Sequence, residues 1–244
     1  MKKRIPLIIT AAALLLFAGL FFFLYRNNDT LRFQKLSEEI FAQSLSQDSL
    51  SLHYTLADPS PYLKAPSPAT LPAYSRESQK EAAALLENQL LVLQEINPEK
   101  LNSHDRYTWS LLTSYLENEL AGARCEYYEE PLAPSSGMQS QLPVLLAEYT
   151  FRTKSDMEDY LEILESIPAY LESLAVYEKE KANAGLFMTE ADAGEIVDQC
   201  DAIMAPDLLS AGEHFLQTTF QERLDGLVED GQLKPEEEEF FISE

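Results

Sequence analysis

The sequence predicts an all-α protein: an N-terminal transmembrane helix followed by a multi-helix extracytoplasmic domain with at most one short strand. Three observations carry that expectation. Residues 5–25 run without a charge, helix-period apolar stripes recur between proline, serine and asparagine from Asp29 onward, and only 8 glycines stand beside 13 prolines in 244 residues. So few glycines leave little room for the tight turns of a many-stranded sheet or for a phosphate-cradling loop. At 45% hydrophobic and 24% charged residues, the chain has the composition of one that buries a core.

The first 28 residues follow membrane physics. Lys2, Lys3 and Arg4 precede the uncharged run from Ile5 to Tyr25, and Arg26, Asn27 and Asn28 close it. At ~1.5 Å per residue the run spans about 30 Å, one hydrocarbon core. Phe21, Phe22, Phe23, Leu24 and Tyr25 stand where a cleaved signal would need small residues, and no cysteine follows for lipid attachment. Residues 1–28 therefore read as an uncleaved signal anchor, with a cleaved signal peptide as the alternative, and residues 29–244 as the ectodomain. The basic tip stays in the cytoplasm and the rest faces outward, as in a single-pass protein of the cell membrane, although Arg26, Arg32 and Lys35 weaken the charge asymmetry.

Every acid lies after residue 28, which leaves the ectodomain 14 basic and 41 acidic side chains, a charge of −27. That balance excludes nucleic acid as a partner and keeps the domain off anionic lipid and wall polymers. Two cysteines are too few for a disulfide framework and lack zinc-site spacing; a Cys125 to Cys200 bridge stays open for a domain outside the cytoplasm.

Along the ectodomain, Leu36, Ile40 and Phe41 predict a first helix that stops near Ser46, Gln47 and Asp48. Leu50, Leu52, Tyr54 and Leu56 alternate with Ser49, Ser51, His53 and Thr55, the period of one short strand. Pro59, Pro61, Pro66, Pro68 and Pro72 then hold the chain out of helix until Ser75, an N-cap for a stripe of Ala82, Leu86, Leu90 and Leu93 that ends at Asn97-Pro98. Ser103 starts a second helix with Trp109, Leu112, Leu116 and Leu120 on one face, and the two predict an antiparallel hairpin.

Cys125 to Gln141 is the longest irregular stretch, and long ordered loops often carry function. Pro143 suits the first turn of a short helix to Tyr149, and Ser155 with Glu158 has the pattern of a capping box ahead of Leu161 and Leu164. Pro168 opens a further helix with Leu171, Leu174 and Tyr177 inward and Gly185 as terminator. Thr189 caps the next, whose stripe of Ala193, Ile196, Val197, Cys200, Ile203 and Met204 makes Cys200 a core thiol. Pro206 introduces a last long helix with Leu209, Leu216, Phe220, Leu224 and Leu227 on one side. Pro235 with Glu236 to Glu239 opens one more helix, which stops at Glu244 too short to be stable alone, so a partner or a continuation should complete it.

No self-sufficient active site follows from these residues. Hydrolytic zinc on a helix needs two imidazoles one turn apart and a carboxylate beside the first. His53, His104 and His214 lie far apart, and Thr218 stands where a second ligand after His214 would be, so they read as surface or satisfied core residues. No GxSxG elbow occurs, and Cys125 sits beside Glu126, Glu129 and Glu130, whose charges oppose a thiolate. Paired carboxylates such as Glu129-Glu130 carry little weight in so acidic a chain and read as a solvated face. The sequence therefore offers no candidate catalytic residue and no candidate metal ligand.

Read in order, LHYTLADP (Leu52–Pro59), YYEEPLAPSSGMQSQLPVLLAEYTFR (Tyr127–Arg152), DMEDYLEIL (Asp156–Leu164) and EKEKANAGLFM (Glu178–Met188), with the hairpin from Ser75 to Leu120, resemble the bacterial family named domain of unknown function 885 (DUF 885), over its N-terminal half only. The resemblance implies helical, zincin-type zinc metallopeptidases, often exported or membrane-tethered, acting on peptides, with an HExxH helix in a C-terminal half. No HExxH occurs in this chain, so neither zinc nor a catalytic glutamate carries over to any residue here. The resemblance thus implies a truncated, inactive part of an anchored peptidase-like protein whose partner is the missing catalytic half. The alternative is a stand-alone extracytoplasmic binding or scaffold module that uses the loop from Tyr127 to Gln141. In that loop Gln139 and Gln141, amides able to donate and accept, are the candidate ligand-binding residues, with hydrogen bonds that merely anchor the loop as the structural alternative.

Overall fold

Nine α-helices and no strand form among residues 28–63, 68–237 and 241, the residues that a computed structural model describes. They are α1 (Asp29–Leu45), α2 (Ser49–Thr55), α3 (Arg76–Gln94), α4 (Ser103–Ala123), α5 (Met138–Glu148), α6 (Lys154–Asn183), α7 (Glu190–Met204), α8 (Pro206–Ala211) and α9 (Phe215–Glu229). The membrane span expected at residues 5–25 lies outside the described residues, and no helix among those described is long and apolar enough to cross a membrane. The chain forms two units, one through Ser44 with Lys80–Arg124, the other Leu45–Gln79 with the residues from Cys125 onward.

In the first unit the expected hairpin is present. Leu93, Ile96, Leu101 and Leu116 are buried with Phe33, Leu36 and Ile40 of α1, and Leu86, Leu90, Trp109 and Leu112 pack against them. The Trp109 indole N–H donates to the Leu93 carbonyl at 3.1 Å, tying the two arms. Asn97 caps a 3-10 turn at Pro98–Lys100, and Asn102 caps α4 by accepting from the Asp105 N–H. Asp29, buried in the first turn of α1, is held by Lys100 at 3.1 Å and Arg32 at 3.5 Å, which compensates the charge it takes out of water.

The second unit is organised by α6. Thr153 and Asp156 close a capping box at its start, two residues before the expected Ser155 and Glu158. Pro168 does not open a new helix: it lies inside a single 30-residue one. Buried residues on both sides of the proline, Tyr160 and Ile163 before it and Tyr170, Leu174 and Tyr177 after it, hold that helix continuous across the lost backbone bond. Tyr170 takes the inward position expected of Leu171, which is exposed. Gly185 ends the helix with φ 75°, and its N–H and that of Leu186 close onto the Ala182 and Lys181 carbonyls.

Three further expectations are corrected. Helix α5 begins at Met138, five residues ahead of Pro143, because the Gly137 carbonyl accepts from the Ser140 and Gln141 N–H groups and starts the helix there. On α7 only Ile196 is fully buried; Val197 and Met204 are exposed and Cys200 is half-buried. The segment after Pro206 is broken in two by Gly212 at φ 72° and by His214, which caps α9 by accepting from the Leu216 N–H, so Leu209 is exposed while Leu224 and Leu227 are buried. Of the last expected helix, Pro235–Glu237 are helical, and Glu238–Phe240 and Ile242–Glu244 lie outside the described residues.

The short strand expected at Leu50–Leu56 is helix α2. Asp48 caps it, accepting from the Leu50 N–H at 3.0 Å and the Ser51 hydroxyl at 2.6 Å. Its buried pair is Leu50 and His53, one helical turn apart, which a period-of-two reading splits because it counts histidine as polar. His53 stacks on Tyr149 at 3.6 Å, and its Nε2 accepts from the Thr150 N–H at 3.2 Å. That bond leaves the proton on Nδ1, 3.7 Å from the Asp156 carboxylate.

Burial and then the Arg152 charge push His53 below the usual imidazole value of 6.5, against a smaller opposing effect of Asp156. The neutral ring is therefore the folded form, and the unfolded chain takes up the proton first. Its contribution to stability is complete above pH 6.5 and is lost as pH falls through 6.5 toward the lowered value. Thermal unfolding of wild type and His53→Gln at pH 7.5 and 5.5 should show wild type more stable at the higher pH, with the gap narrowing at the lower one.

Candidate functional site

The loop from Arg124 to Gly137 is irregular for local reasons: Pro131 and Pro134 interrupt helix, and Tyr127 takes a left-handed φ of 59°. It is nevertheless held by side chains at nearly every step. Tyr74 donates through its hydroxyl to the Glu129 carboxylate, and Gln79 donates to the Tyr74 oxygen at 3.0 Å. The Glu129 carbonyl accepts from Tyr177 Oη at 3.4 Å and Lys181 Nζ at 3.3 Å. Lys181 also forms a salt bridge with Glu130. Arg76 pairs with Glu126 and lies over the Tyr127 ring at 5.1 Å, and that ring contacts Tyr177 at 5.6 Å.

This clasp depends on buried charge. Lys181 is 1% exposed and Glu178, one turn earlier on α6, 6%. An ammonium at that depth costs several kcal/mol unless paired, and Glu130 with the Glu129 carbonyl supplies the pairing. Glu178 has no such compensation: both carboxylate oxygens are buried and accept no hydrogen bond. Burial raises its pKa, Lys181 opposes the rise, and Glu130 adds to it.

Two serines of the same helix position the proline-rich segment that leads into α3. Ser166 Oγ accepts from the Leu71 N–H at 3.0 Å and Ser173 Oγ from the Tyr74 N–H at 2.8 Å, while each hydroxyl donates back to a helix carbonyl. The extended backbone is thus satisfied without a strand partner.

Gln139 is buried, its amide donating to the Ala133 carbonyl at 2.7 Å and to Gln199 at 2.9 Å, and Gln199 donates in turn to the Pro134 carbonyl at 2.8 Å. Its Oε1 is buried and accepts no hydrogen bond. Gln141 is exposed and donates to the Ser136 carbonyl at 2.9 Å. Both amides therefore secure the loop, and each keeps an acceptor oxygen outside those bonds. Gly137 has no room for a side chain, since a Cβ there would lie 2.3 Å from Ala133 N.

The histidines do not converge. His53 is stacked and hydrogen-bonded, and His214 Nε2 meets the Ile203 carbonyl at 2.7 Å while its Nδ1 accepts from Leu216; His104 is exposed in the other unit. Among the described residues no group of three or more His, Cys, Asp or Glu is placed to hold a metal ion. The zinc that the family resemblance implies therefore does not fit these residues. Cys125 is exposed, Cys200 half-buried, and no disulfide joins them.

Tyr127, Tyr177, Gln139 and Gln141 stand out in the sequence, whereas Lys181, Glu178 and Tyr74 belong to no catalytic or binding motif there. A signal for Lys181 was present, because it continues the buried stripe Tyr170, Leu174, Tyr177 at the next turn. Since Glu178 has a folded pKa above its usual 4.5, stability is full below that value and is lost as pH rises through the raised one. Glu178→Gln should therefore raise the melting temperature at pH 7.5, and the gain should vanish near pH 4, as read by calorimetry.

A model for a family described as bacterial protein of unknown function (DUF885) matches residues 63–239. No curated protein and no solved structure matches the chain. The matched span holds the loop, the proline-rich segment from Pro68 onward, and the buried Lys181 and Glu178. With most of its length inside that match, the chain belongs to the DUF885 family of bacterial proteins.

Proposed function

We propose that this chain is a membrane-anchored, extracytoplasmic helical module of a zincin-like metallopeptidase-type protein, without hydrolytic activity of its own. The supporting observation is the state of its imidazoles: two are committed to packing and backbone hydrogen bonds, and the third stands exposed without the spacing of a metal-binding helix. The lack of HExxH in the sequence supports the same reading, in which peptide-bond chemistry belongs to polypeptide other than these residues. The uncharged run at residues 5–25 supplies the tether, and the acidic domain stands off the membrane surface.

A second reading, a binding or scaffold module, has its own support. The loop from Tyr127 to Gln141 is pinned at both ends and carries Gln141 at its surface, where a ligand or partner could meet its amide, while Gln139 is buried against Gly137 and holds the loop from within. Under either reading the loop is a rigid presenting surface rather than a catalytic one.

The full chain, purified in detergent with zinc, should cleave no member of a fluorogenic peptide library above background, with or without a chelator. Chelator-sensitive cleavage would overturn the reading. Alkaline carbonate should leave the chain in the membrane fraction; its release would remove the anchor from the proposal.

A further inference from the structure

Two carboxylates lie near one buried ammonium of helix α6, and only one of them is paired with it. Lys181 Nζ forms its salt bridge with Glu130 and donates to the Glu129 carbonyl at 3.3 Å. Glu178, one turn earlier on the same helix, is buried as well, and its two carboxylate oxygens accept no hydrogen bond. Side chains three apart on a helix are neighbours, so a rotamer change brings the ammonium to a second carboxylate. The charged and titratable groups that act on Glu178 are Lys181 and Tyr177 of its own helix and Glu130 of the loop. Glu129, beside Glu130, is already engaged through its carboxylate by the Tyr74 hydroxyl and the Gln79 amide.

We propose that Lys181 and Glu178 form a proton-controlled latch on the loop: with Glu178 neutral the ammonium holds Glu130, and with Glu178 ionised it turns to Glu178 and lets Glu130 go. The direction follows from solvent access. The Glu130 side chain is 51% exposed, so on losing Lys181 it passes into water at little cost. Glu178 is 6% exposed, so once ionised it takes the ammonium or stays an uncompensated charge in the interior. The clasp in the structure is therefore the arrangement of a neutral Glu178. Burial favours that neutral form, and so does the Glu130 charge, against the opposing pull of Lys181.

The release is partial. Tyr177 still reaches the Glu129 carbonyl, Tyr74 still holds the Glu129 carboxylate, and Gln139 and Gln199 still hold the Ala133 and Pro134 carbonyls. What loosens is the turn between those anchors, Glu130 to Leu132. Its Pro131 carbonyl accepts from the Met138 N–H at 2.9 Å, at the start of α5, so that amide loses its partner when the turn moves. The latch does not depend on what the loop binds.

The test is amide hydrogen exchange on the full chain in non-ionic detergent from pH 5 to 9, corrected for the intrinsic pH dependence of exchange. In wild type, protection of the Met138 amide should fall with rising pH at least about tenfold further than that of amides inside α6, which separates local release from global unfolding. Glu178→Gln, neutral and of the same shape, should keep the Met138 amide protected across the range. Glu130→Gln should move the loss to lower pH, because Glu178 then has no rival for the ammonium. A Met138 amide that loses protection only in step with α6 would overturn the proposal. So would an excess loss that survives in Glu178→Gln, or one whose midpoint Glu130→Gln leaves in place.

Discussion

One face of helix α6 holds the second unit together. Met157, Tyr160 and Ile163 near its start and Tyr170, Leu174 and Tyr177 further along are buried, and they gather α2, α5, α9 and the proline-rich segment around a single axis. The same helix supplies the hydroxyls that satisfy the extended backbone at Leu71 and Tyr74 and the ammonium that holds the loop at Glu129 and Glu130. A proline in a helix interior costs about 3 kcal/mol. Burying several side chains of about 1.5–3 kcal/mol each on both sides of Pro168 outweighs that cost, which is why the helix runs through it.

Around that axis, polar groups are placed where a neutral residue would be simpler. Arg223 is one case: its guanidinium donates to the Leu146 and Tyr149 carbonyls at the end of α5 while lying over the Phe151 and Tyr160 rings. A cation at a helix C-terminus meets the negative end of the macrodipole, and a single guanidinium nitrogen, Nη1, donates to both carbonyls. Lys181 does the same for the loop. Glu178 is the exception, a carboxylate that is buried beside the ammonium without a hydrogen bond and destabilises the fold at neutral pH.

These features give the loop its character. It has no regular hydrogen-bonding ladder of its own, yet Tyr74, Gln79, Gln139, Gln199 and Lys181 reach it from five different segments. A loop so restrained presents fixed chemistry to whatever it meets and loses little entropy on binding.

How much of this was legible in the sequence depended on the range of the interaction. The helical class, the α3–α4 hairpin, the caps at Ser75 and Thr189 and the terminator Gly185 rest on patterns within a short stretch of chain, and they could be read directly. Helix α2 and the continuity of α6 through Pro168 could not, because each is decided by burial against segments distant in the chain, whereas the break at Gly212 is local and was open to being read from the glycine itself. The candidate site divides in the same way. Its loop was visible from composition, whereas the pairing of Lys181 with Glu130 and Glu129, some 50 residues earlier, became visible only in three dimensions. The sequence by itself determined helix content, family and the absence of a zinc-binding motif, since these are local patterns. Tertiary structure alone decided which charges are buried and what they hold, because desolvation is a property of the packed neighbourhood and not of the residue.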